Sequence, residues 1–363
     1  MNRYFVSGYW SSNLGDDLFL KILVSRYPSA KFYVFIESDN FAQFSHYDNV
    51  VPIYNNVVVK IINKILKFFS VIPIQYFLTH FFIKNYIEIG GSIFMEDEGW
   101  LYKLKQREYA SRKYKNYFVL GSNFGPFYDE KYYSNYKNLF NKVNGIVFRD
   151  EYSYQLFKNV NVKKASDVIF NLYPQYRGNY SKKKQVIISV VDYRYKIKGT
   201  SNADQSSYEM KISAMILNFI ANGYNVVIMS FCRSEGDEQV ARSIYQRLSI
   251  KNESIEIFDY SDDIESAIRL MAEAEIVVAS RFHAVVLGLE FGAKVLPIAY
   301  SDKTKHLIQD IYHKKKWLTF AEFIETNISK ENYVNINTHM IEDIVKDAEQ
   351  QFYYLDLFIT KLG

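Results

Sequence analysis

The residues best suited to chemistry are Arg281 and His283, within the segment Ser-Arg-Phe-His-Ala at 280–284. This segment follows an apolar strand predicted at 276–279 and precedes an apolar helix predicted at 284–291. At such a junction the free backbone N–H groups favour an anion. Arg281 supplies a planar fork for a carboxylate or phosphate, and His283 supplies a proton that moves near neutral pH. The alternative interpretation is a structural ion pair.

A third cationic candidate, Lys303, follows the strand predicted at 295–299. Lys303 is therefore expected at a strand tip, as are Arg281 and His283. Three cationic groups together suit a ligand that carries three negative charges. The alternative is an ordinary solvated lysine, which is our interpretation of the neighbouring Lys305.

Asn13, Gly15 and Asp16 form a second candidate group, in a polar segment at 8–17 that precedes a helix predicted at 18–25. A glycine in this place lets the backbone approach a ligand closely. Asp16 is a candidate for catalysis or for capping the helix, and both roles stay open. The segment lacks the G-x-G-x-x-G spacing of a dinucleotide site.

Ser92 and Asn123 follow glycines that end the strands predicted at 86–89 and 117–120. Because the carboxyl ends of parallel strands meet at one edge of a sheet, we expect both residues on the same edge as Asp16. Hydroxyl and amide groups form hydrogen bonds with sugar hydroxyls. The two residues are therefore predicted to line a pocket for an acceptor.

Short apolar strands that alternate with helical segments must position these residues, and this alternation predicts parallel β-α-β units. Strands are predicted at 4–7, 32–36, 86–89, 117–120, 145–148, 185–190, 226–230, 254–258, 276–279 and 295–299, and helices at 18–25, 209–221, 235–248, 263–274 and 284–291. A looser stretch at 171–184 separates two such sets, and 363 residues exceed what one hydrophobic core normally fills.

The predicted fold class is therefore α/β, with two Rossmann-like domains facing across a cleft as in the glycosyltransferase-B architecture. The predicted domains are 1–178, which is expected to bind the acceptor, and 179–363, which is expected to bind an anionic donor. Ligands are expected at the carboxyl ends of the strands.

Composition limits the class of protein. The single cysteine, Cys232, excludes an internal disulfide and a cysteine-based metal cluster, which is typical of a reducing compartment. The first residues are not followed by a long apolar run, so no signal peptide is predicted and the expected location is the cytoplasm. A formal net charge of +4 gives no reason to propose nucleic acid as a partner.

Residues 57–84 are strongly apolar and aromatic, but lysines and Pro73 interrupt them too often for a bilayer-spanning helix. Lys60, Lys64 and Lys67 fall on one helical face. One interpretation is a basic amphipathic surface that rests on the inner face of the cell membrane, near a lipid-linked sugar acceptor. The other, which we favour, is a core helix with one solvated face.

Seven short motifs, in this order, resemble those of the polysaccharide pyruvyl transferase family, over residues 8 to about 312. They are Asn13-Leu14-Gly15-Asp16, Gly90-Gly91, Gly125-Pro126-Phe127, Phe148-Arg149-Asp150-Glu151 with Ser153, Ser166-Asp167-Val168-Ile169-Phe170, Ser280-Arg281-Phe282-His283-Ala284, and Tyr300 with Lys303. Each motif alone is unspecific, and their common order carries the resemblance.

The resemblance implies a transferase of exopolysaccharide biosynthesis that uses phosphoenolpyruvate as its donor and a glycan or lipid-linked saccharide as its acceptor. The enolpyruvyl group closes on the sugar as a cyclic ketal, and phosphate is released. By this resemblance Arg281 binds phosphoenolpyruvate and His283 is catalytic, while Ser280 and Lys303 are expected to contact the donor.

The chain departs from the family pattern at two places. A second family arginine falls on Arg194, although the family has its arginine sooner after the strand. Gly90-Gly91-Ser92 replaces a triple glycine, and the serine is expected to alter the acceptor pocket.

The expected mechanism protonates C3 of phosphoenolpyruvate from His283, while Arg281 and Lys303 stabilise the departing phosphate. Asp16 is expected to accept a hydroxyl proton if the two domains close. This chemistry requires no cofactor and no metal. The rival interpretations are a nucleotide-sugar glycosyltransferase and a non-catalytic glycan-binding protein.

Overall fold

A computed structural model describes residues 2–249 and 253–360 as two parallel β-sheets covered by helices. In the first sheet the strands are β1 (Arg3–Ser7), β2 (Lys31–Ile36), β3 (Val50–Tyr54), β4 (Asn85–Ile89), β5 (Asn116–Ser122), β6 (Gly145–Phe148) and β7 (Val162–Lys164). Their spatial order is β3-β2-β1-β4-β5-β6-β7. This is the order of a Rossmann sheet, extended by one strand.

The second sheet repeats the pattern. Its strands are β8 (Lys183–Ser189), β9 (Asn225–Ser230), β10 (Ile255–Asp259), β11 (Ala274–Ala279), β12 (Lys294–Ala299) and β13 (Leu318–Thr319), in the order β10-β9-β8-β11-β12-β13. The predicted α/β class with two Rossmann-like domains is confirmed. Each predicted strand occurs with its ends within two residues of the prediction, whereas β3, β7 and β13 were not predicted.

The helices, in chain order, are α1 (Leu14–Arg26), α2 (Val57–Phe68), α3 (Ile74–Thr79), α4 (Trp100–Lys113), α5 (Glu130–Phe140), α6 (Glu151–Phe157), α7 (Tyr173–Tyr176), α8 (Tyr193–Lys196), α9 (Asn202–Ala221), α10 (Asp237–Arg247), α11 (Ile264–Glu273), α12 (Phe282–Glu290), α13 (Asp302–Tyr312), α14 (Phe320–Glu325), α15 (Thr338–Ala348) and α16 (Tyr353–Thr360). Among the described residues, no helix combines the length and apolar character needed to cross a membrane.

The described residues form two compact units. The first comprises 2–10, 18–168 and 346–360, and the second comprises 11–17, 169–249 and 253–345. This division differs from the expected boundary at 178/179. The C-terminal segment joins the first unit because the Gln351 side chain accepts a hydrogen bond from the Gly121 N–H at 2.9 Å and donates one to the Ala165 carbonyl at 2.9 Å.

Residues 11–17 join the second unit for an equally local reason. The Leu14 N–H donates to the Phe231 carbonyl at 3.0 Å, and Asn13 forms a bridge with Cys232. Helix α1 also begins four residues earlier than predicted, because the Asn13 side chain accepts a hydrogen bond from the Gly15 N–H at 3.1 Å. Asn13 therefore caps the helix, a role that the sequence analysis had considered for Asp16.

Aromatic side chains fill much of the first unit's core. Strands β4 and β6 are buried along their whole length, as parallel strands covered on both faces should be. Against them the ring of Phe124 packs on Phe157, with centroids 4.7 Å apart, and on Tyr132 at 5.3 Å. Packing of this core therefore explains part of the high tyrosine and phenylalanine content.

A buried ion pair links helix α4 to strand β4. The Arg107 Nη2 donates to Glu88 Oε1 at 2.6 Å, and Nη1 donates to the Tyr136 hydroxyl at 2.6 Å. Burial alone would lower the pKa of Arg107, but charge interactions with Glu88, Tyr136 and Tyr117 and hydrogen bonding to Glu88 together raise the pKa well above its usual value. The guanidinium therefore stays charged, and its removal would leave a carboxylate buried without its counter-ion.

We expect Arg107→Met to lower the free energy of unfolding by about 3–5 kcal/mol, the usual cost of removing one partner of a buried pair. The matched control is Lys103→Met on the same helix, which breaks an exposed pair with Asp97 and should cost less than about 1 kcal/mol. Urea denaturation followed by circular dichroism compares the two variants. Equal losses would show that the Glu88 pair has no special weight.

Candidate functional site

The candidate site lies where four strands of the second sheet end side by side. Ser189 of β8 pairs with Met229 of β9 and with Ala279 of β11, which in turn pairs with Pro297 of β12. The segments that follow these strands therefore start at a common edge. The strand order reverses between β8 and β11, and ligands of Rossmann sheets bind at such a switch point.

Arg281 caps the start of α12 and is only 6% exposed. Its Nε donates to Asp237 Oδ2 at 2.8 Å, its Nη2 donates to Asp237 Oδ1, and its Nη1 donates to Glu235 Oε2. A guanidinium has five N–H groups, so two remain without an acceptor among the described residues. The expected phosphoenolpyruvate-binding arginine thus forms the structural ion pair that was the alternative interpretation.

Lys196 of α8 completes this cluster, since its Nζ pairs with Glu235 Oε2. Burial alone would raise the pKa of Glu235, but the charges of Arg281 and Lys196 outweigh it and lower the pKa to about 2. The two cations are therefore balanced by Glu235 and Asp237. Net positive charge at this edge must come from other residues.

Arg194 lies on the same short helix as Lys196 but has different partners. Its Nε donates to Asp192 Oδ1 at 2.9 Å and its Nη1 to Asn202 Oδ1 at 2.9 Å, and its side chain is 45% exposed. Hydrogen bonding from Arg194 lowers the pKa of Asp192. Arg194 was predicted to join Arg281. The α8 residue that belongs to the Arg281 cluster is Lys196, two residues later.

His283 packs directly on Gly15. A Cβ atom built on Gly15 would lie 1.6 Å from His283 Nδ1 and 2.2 Å from Cε1, so a residue with a side chain does not fit there. The backbone of Gly15 is not in a left-handed conformation, and the glycine is required by the approach of the imidazole alone. Gly15 and His283, which are far apart in the sequence and are both candidate site residues, are thus in contact.

Asp16 and Asp17 follow Gly15 in the first turn of α1. Asp17 is fully buried and accepts a hydrogen bond from the Tyr260 hydroxyl at 2.7 Å, so it fixes the first turn of α1 within the second unit. Asp16 is partly exposed. Both belong to the same unit as His283, whereas the sequence analysis had placed Asp16 in the other domain.

Lys303 occupies the first turn of α13, beside two aromatic rings. Its Nζ lies 5.6 Å from the centroid of Phe282 and 5.6 Å from that of Tyr300. The Phe282 ring in turn meets the His283 ring edge to face, with centroids 5.1 Å apart. Aromatic faces therefore stabilise the charge of Lys303, and its place in a donor site with His283 stays a prediction.

Ser280 is buried beside Tyr208. It is 1% exposed, and its hydroxyl lies 3.0 Å from the Tyr208 hydroxyl. Contact between Ser280 and the donor stays a prediction, because strand-end position does not indicate on which face of the sheet a residue lies.

Ser92 and Asn123 meet at the corresponding edge of the first sheet, where the Ser92 hydroxyl donates to Asn123 Oδ1 at 3.3 Å. The same oxygen accepts from Arg149 Nη2 at 2.7 Å, and Arg149 Nη1 pairs with Asp167 Oδ2 at 2.8 Å. A Cβ on Gly91 would lie 2.6 Å from both terminal nitrogens of Arg149. No role was predicted for this buried arginine. Its terminal nitrogens occupy the space of a side chain at position 91, which explains why that residue is glycine.

No cluster of three or more His, Cys, Asp or Glu side chains that could bind a metal ion occurs within 2–249 and 253–360.

The contact between Gly15 and His283 can be tested by substitution. Gly15→Ala should lower the free energy of unfolding by about 1–3 kcal/mol, the usual cost of overpacking, because the methyl group must displace the imidazole. In a His283→Ala background the same change should cost nothing or stabilise α1, since alanine is the better helix former. A double-mutant cycle from urea denaturation measures this coupling. Additive effects would show that the two residues do not meet.

Comparisons with known proteins agree on a family. Residues 13–302 match the profile of the polysaccharide pyruvyl transferases. The amylovoran biosynthesis protein AmsJ of Erwinia amylovora is 22% identical over 364 residues, which covers 91% of this chain and 87% of that protein.

Solved structures show a related fold. UDP-GlcNAc 2-epimerase from Neisseria meningitidis, bound to UDP-GlcNAc, superimposes with a TM-score of 0.57 at 11% identity, over 97% of this chain and 100% of that chain. Anabaena Alr3699/HepE in complex with UDP and glucose gives 0.55 at 10% identity, over 100% and 99%. These resemblances concern the glycosyltransferase-B-like fold alone. The family match extends from the cap of α1 through the Arg281 and His283 segment to the start of α13, and the chain therefore belongs to the polysaccharide pyruvyl transferase family.

Proposed function

We propose that this transferase moves the enolpyruvyl group of phosphoenolpyruvate onto two hydroxyl groups of a saccharide in exopolysaccharide biosynthesis, where it forms a pyruvate ketal. The observation that carries the proposal is the packing of His283 on Gly15, beside Asp16 and near Lys303, at the switch point of the second sheet. A titratable acid, a carboxylate and a cation are thus grouped at the edge where ligands of this fold bind.

The donor is assigned to the second unit. Lys303 and the two remaining N–H groups of Arg281 provide cationic donors, and the first turn of α12 adds backbone N–H groups with partial positive charge. Arg281 acts here mainly by position, because its charge is already balanced by Asp237 and Glu235. We therefore give Lys303 the larger part in binding the phosphate or carboxylate.

Proton transfer begins the reaction. His283 in its protonated form donates to C3 of phosphoenolpyruvate, which becomes a methyl group, and C2 becomes electrophilic because its phosphate oxygen stabilises the cation. A saccharide hydroxyl adds at C2 and loses its proton to Asp16. The C2–O bond to phosphate then breaks, and phosphate leaves with the proton that Asp16 took up. A second hydroxyl of the same saccharide adds at C2 and gives its proton to the now neutral His283. The product is a cyclic ketal.

The acceptor is a glycan or lipid-linked saccharide, and the first unit remains our candidate for binding part of it. Support comes from Ser92 and Asn123, whose hydroxyl and amide groups suit sugar hydroxyls, although both already contact neighbours there. The glycosyltransferase and glycan-binding interpretations use the same fold. Ligand binding and turnover distinguish them.

Phosphoenolpyruvate should raise the thermal midpoint of the protein, and UDP should not. A ligand that binds only the folded state at a hundredfold excess over its Kd stabilises it by about 2.7 kcal/mol, which a thermal scan resolves. Lys303→Met should remove most of the shift, because it deletes the cation beside Phe282, the first residue of α12. The matched control is Lys305→Met on the same helix, whose amine pairs with Asp302 in solvent. A shift from UDP with none from phosphoenolpyruvate would favour glycosyl transfer.

His283→Asn should leave the thermal midpoint nearly unchanged and lower kcat by about 10²–10⁴, the usual range for a lost general acid. Phosphate release from phosphoenolpyruvate, measured over a panel of saccharide acceptors, reports the rate. His339→Asn is the control, because that histidine is exposed on α15. A variant at position 283 that turns over like the parent would limit His283 to a packing role.

A further inference from the structure

An unusual apolar surface covers helices α2 and α3 of the first unit. Helix α2 buries none of its residues. Phe68 at the end of α2 and Phe69 just beyond it are 82% and 68% exposed, and Phe81 is 64% exposed. The full set of large apolar side chains that face solvent in this segment is Val57, Val58, Ile61, Ile65, Phe68, Phe69, Val71, Phe77, Leu78, Phe81 and Phe82. Scattered exposed apolar residues are ordinary, but a contiguous set marks a contact surface.

The outward direction of these side chains is built into the helices. At about 100° per residue, the exposed apolar residues of α2 fall on one arc of about 120°, and the lysines lie along one border of that arc. Helix α3 buries Tyr76 in the core of the first unit together with the polar Gln75 and Thr79, and it exposes Phe77 and Leu78.

Hydrogen bonds fasten the two helices in this orientation. Asn63 Nδ2 donates to Gln75 Oε1 at 3.0 Å, and the Ile74 N–H donates to Asn63 Oδ1 at 2.9 Å. Thr79 contacts the buried Tyr114 hydroxyl at 2.6 Å. The amide and hydroxyl groups of Asn63, Gln75 and Thr79 thus have partners within the fold, whereas only Tyr76 and Ile83 among the large apolar side chains of this segment are buried in the core. The core-helix interpretation that the sequence favoured is not what the structure shows.

The charge of the surface is one-sided. Residues 57–84 contain Lys60, Lys64, Lys67 and Lys84 and no acidic residue, so their formal charge equals the +4 of the whole chain. Lys60 pairs with Glu37 at 2.8 Å, outside the segment. In a symmetric contact between two copies the lysines of one copy would lie near those of the other, and their like charges would repel. An anionic membrane surface would instead neutralise these lysines.

We infer that α2 and α3 dock the protein on a bilayer that contains anionic phospholipids. The phenylalanines and aliphatic side chains enter the boundary between headgroups and acyl chains, and Lys64 and Lys67 contact the phosphates. With 12 residues, α2 is too short to span a bilayer, which takes about 20. The surface therefore lies in the membrane plane. The inference rests on this surface alone and does not depend on the proposed reaction.

Co-sedimentation of the full chain with vesicles tests the inference. Binding to phosphatidylcholine vesicles that contain about 30% phosphatidylglycerol should exceed binding to pure phosphatidylcholine and weaken as salt is added. Lys64→Gln and Lys67→Gln should each lower the partition coefficient about fivefold, the value of one lysine near such a surface. The charge control, Lys294→Gln, removes an exposed lysine of the second unit and should change nothing.

The apolar part is tested by Phe68→Ser with Phe69→Ser, which should lower binding at least tenfold while the thermal midpoint stays constant, because both rings are exposed. Tyr128→Ser replaces an equally exposed ring outside the segment and is the control. Phosphate release with a water-soluble saccharide acceptor should be the same in all these variants, so loss of membrane binding and failure of the proposed reaction are separable.

Three results would overturn the inference. The first is equal binding to both kinds of vesicle, and the second is binding that survives Phe68→Ser with Phe69→Ser. The third is absence of vesicle binding together with a dimer, seen by analytical ultracentrifugation, that the same double substitution dissociates. That last outcome would make the surface an interface between two copies of the chain.

Discussion

The Arg281 ion-pair cluster is the interaction on which the candidate site depends. It joins the ends of three strands, because Arg281 follows β11, Glu235 and Asp237 follow β9, and Lys196 follows β8. Two backbone N–H groups, of Phe231 and Cys232, also donate to Asp237 Oδ2 at 3.2 and 3.0 Å. Loss of one member would leave buried charge unbalanced, so the cluster fixes where α12 begins and therefore where His283 lies.

Such a cluster changes what a cationic motif implies about binding. Arg281 has the chemistry of an anion receptor, but its two carboxylate partners balance much of that capacity. Lys303, whose Nζ lies 5.6 Å from the centroid of the Phe282 ring, adds a further cation at this edge. Fixed partial charges at the start of α12 add to it without any titratable group. The site thus combines the Arg281 cluster, in which the charges largely balance one another, with the positive charge of Lys303 and of the start of α12.

The sequence was sufficient for ten of the thirteen described strands and for the pairing of motifs with strand ends, because apolar runs followed by glycine are local signals. The sequence did not indicate which distant residues are in contact. The Arg281 carboxylates come from a segment without a recognisable motif, and Gly15 is explained only when the position of the imidazole is known. The helix start at Leu14 was missed because an asparagine cap was interpreted as a ligand contact. The interpretation of 57–84 as a core helix differs from the structure for another reason. An apolar pattern gives the period of a helix but does not show which side faces solvent.

The path of the chain has a consequence for biosynthesis. The first unit takes its initial strand from the start of the sequence and its last helix from 346–360, with nearly all of the second unit encoded between them. During translation the second unit therefore has most of its residues available while the first still lacks the Gln351 side chain that bonds to Gly121 and Ala165. A ribosome-bound nascent chain that lacks 346–360 would expose the surface of β5 and β6 that this segment covers, and a chaperone that recognises apolar surface would find it there.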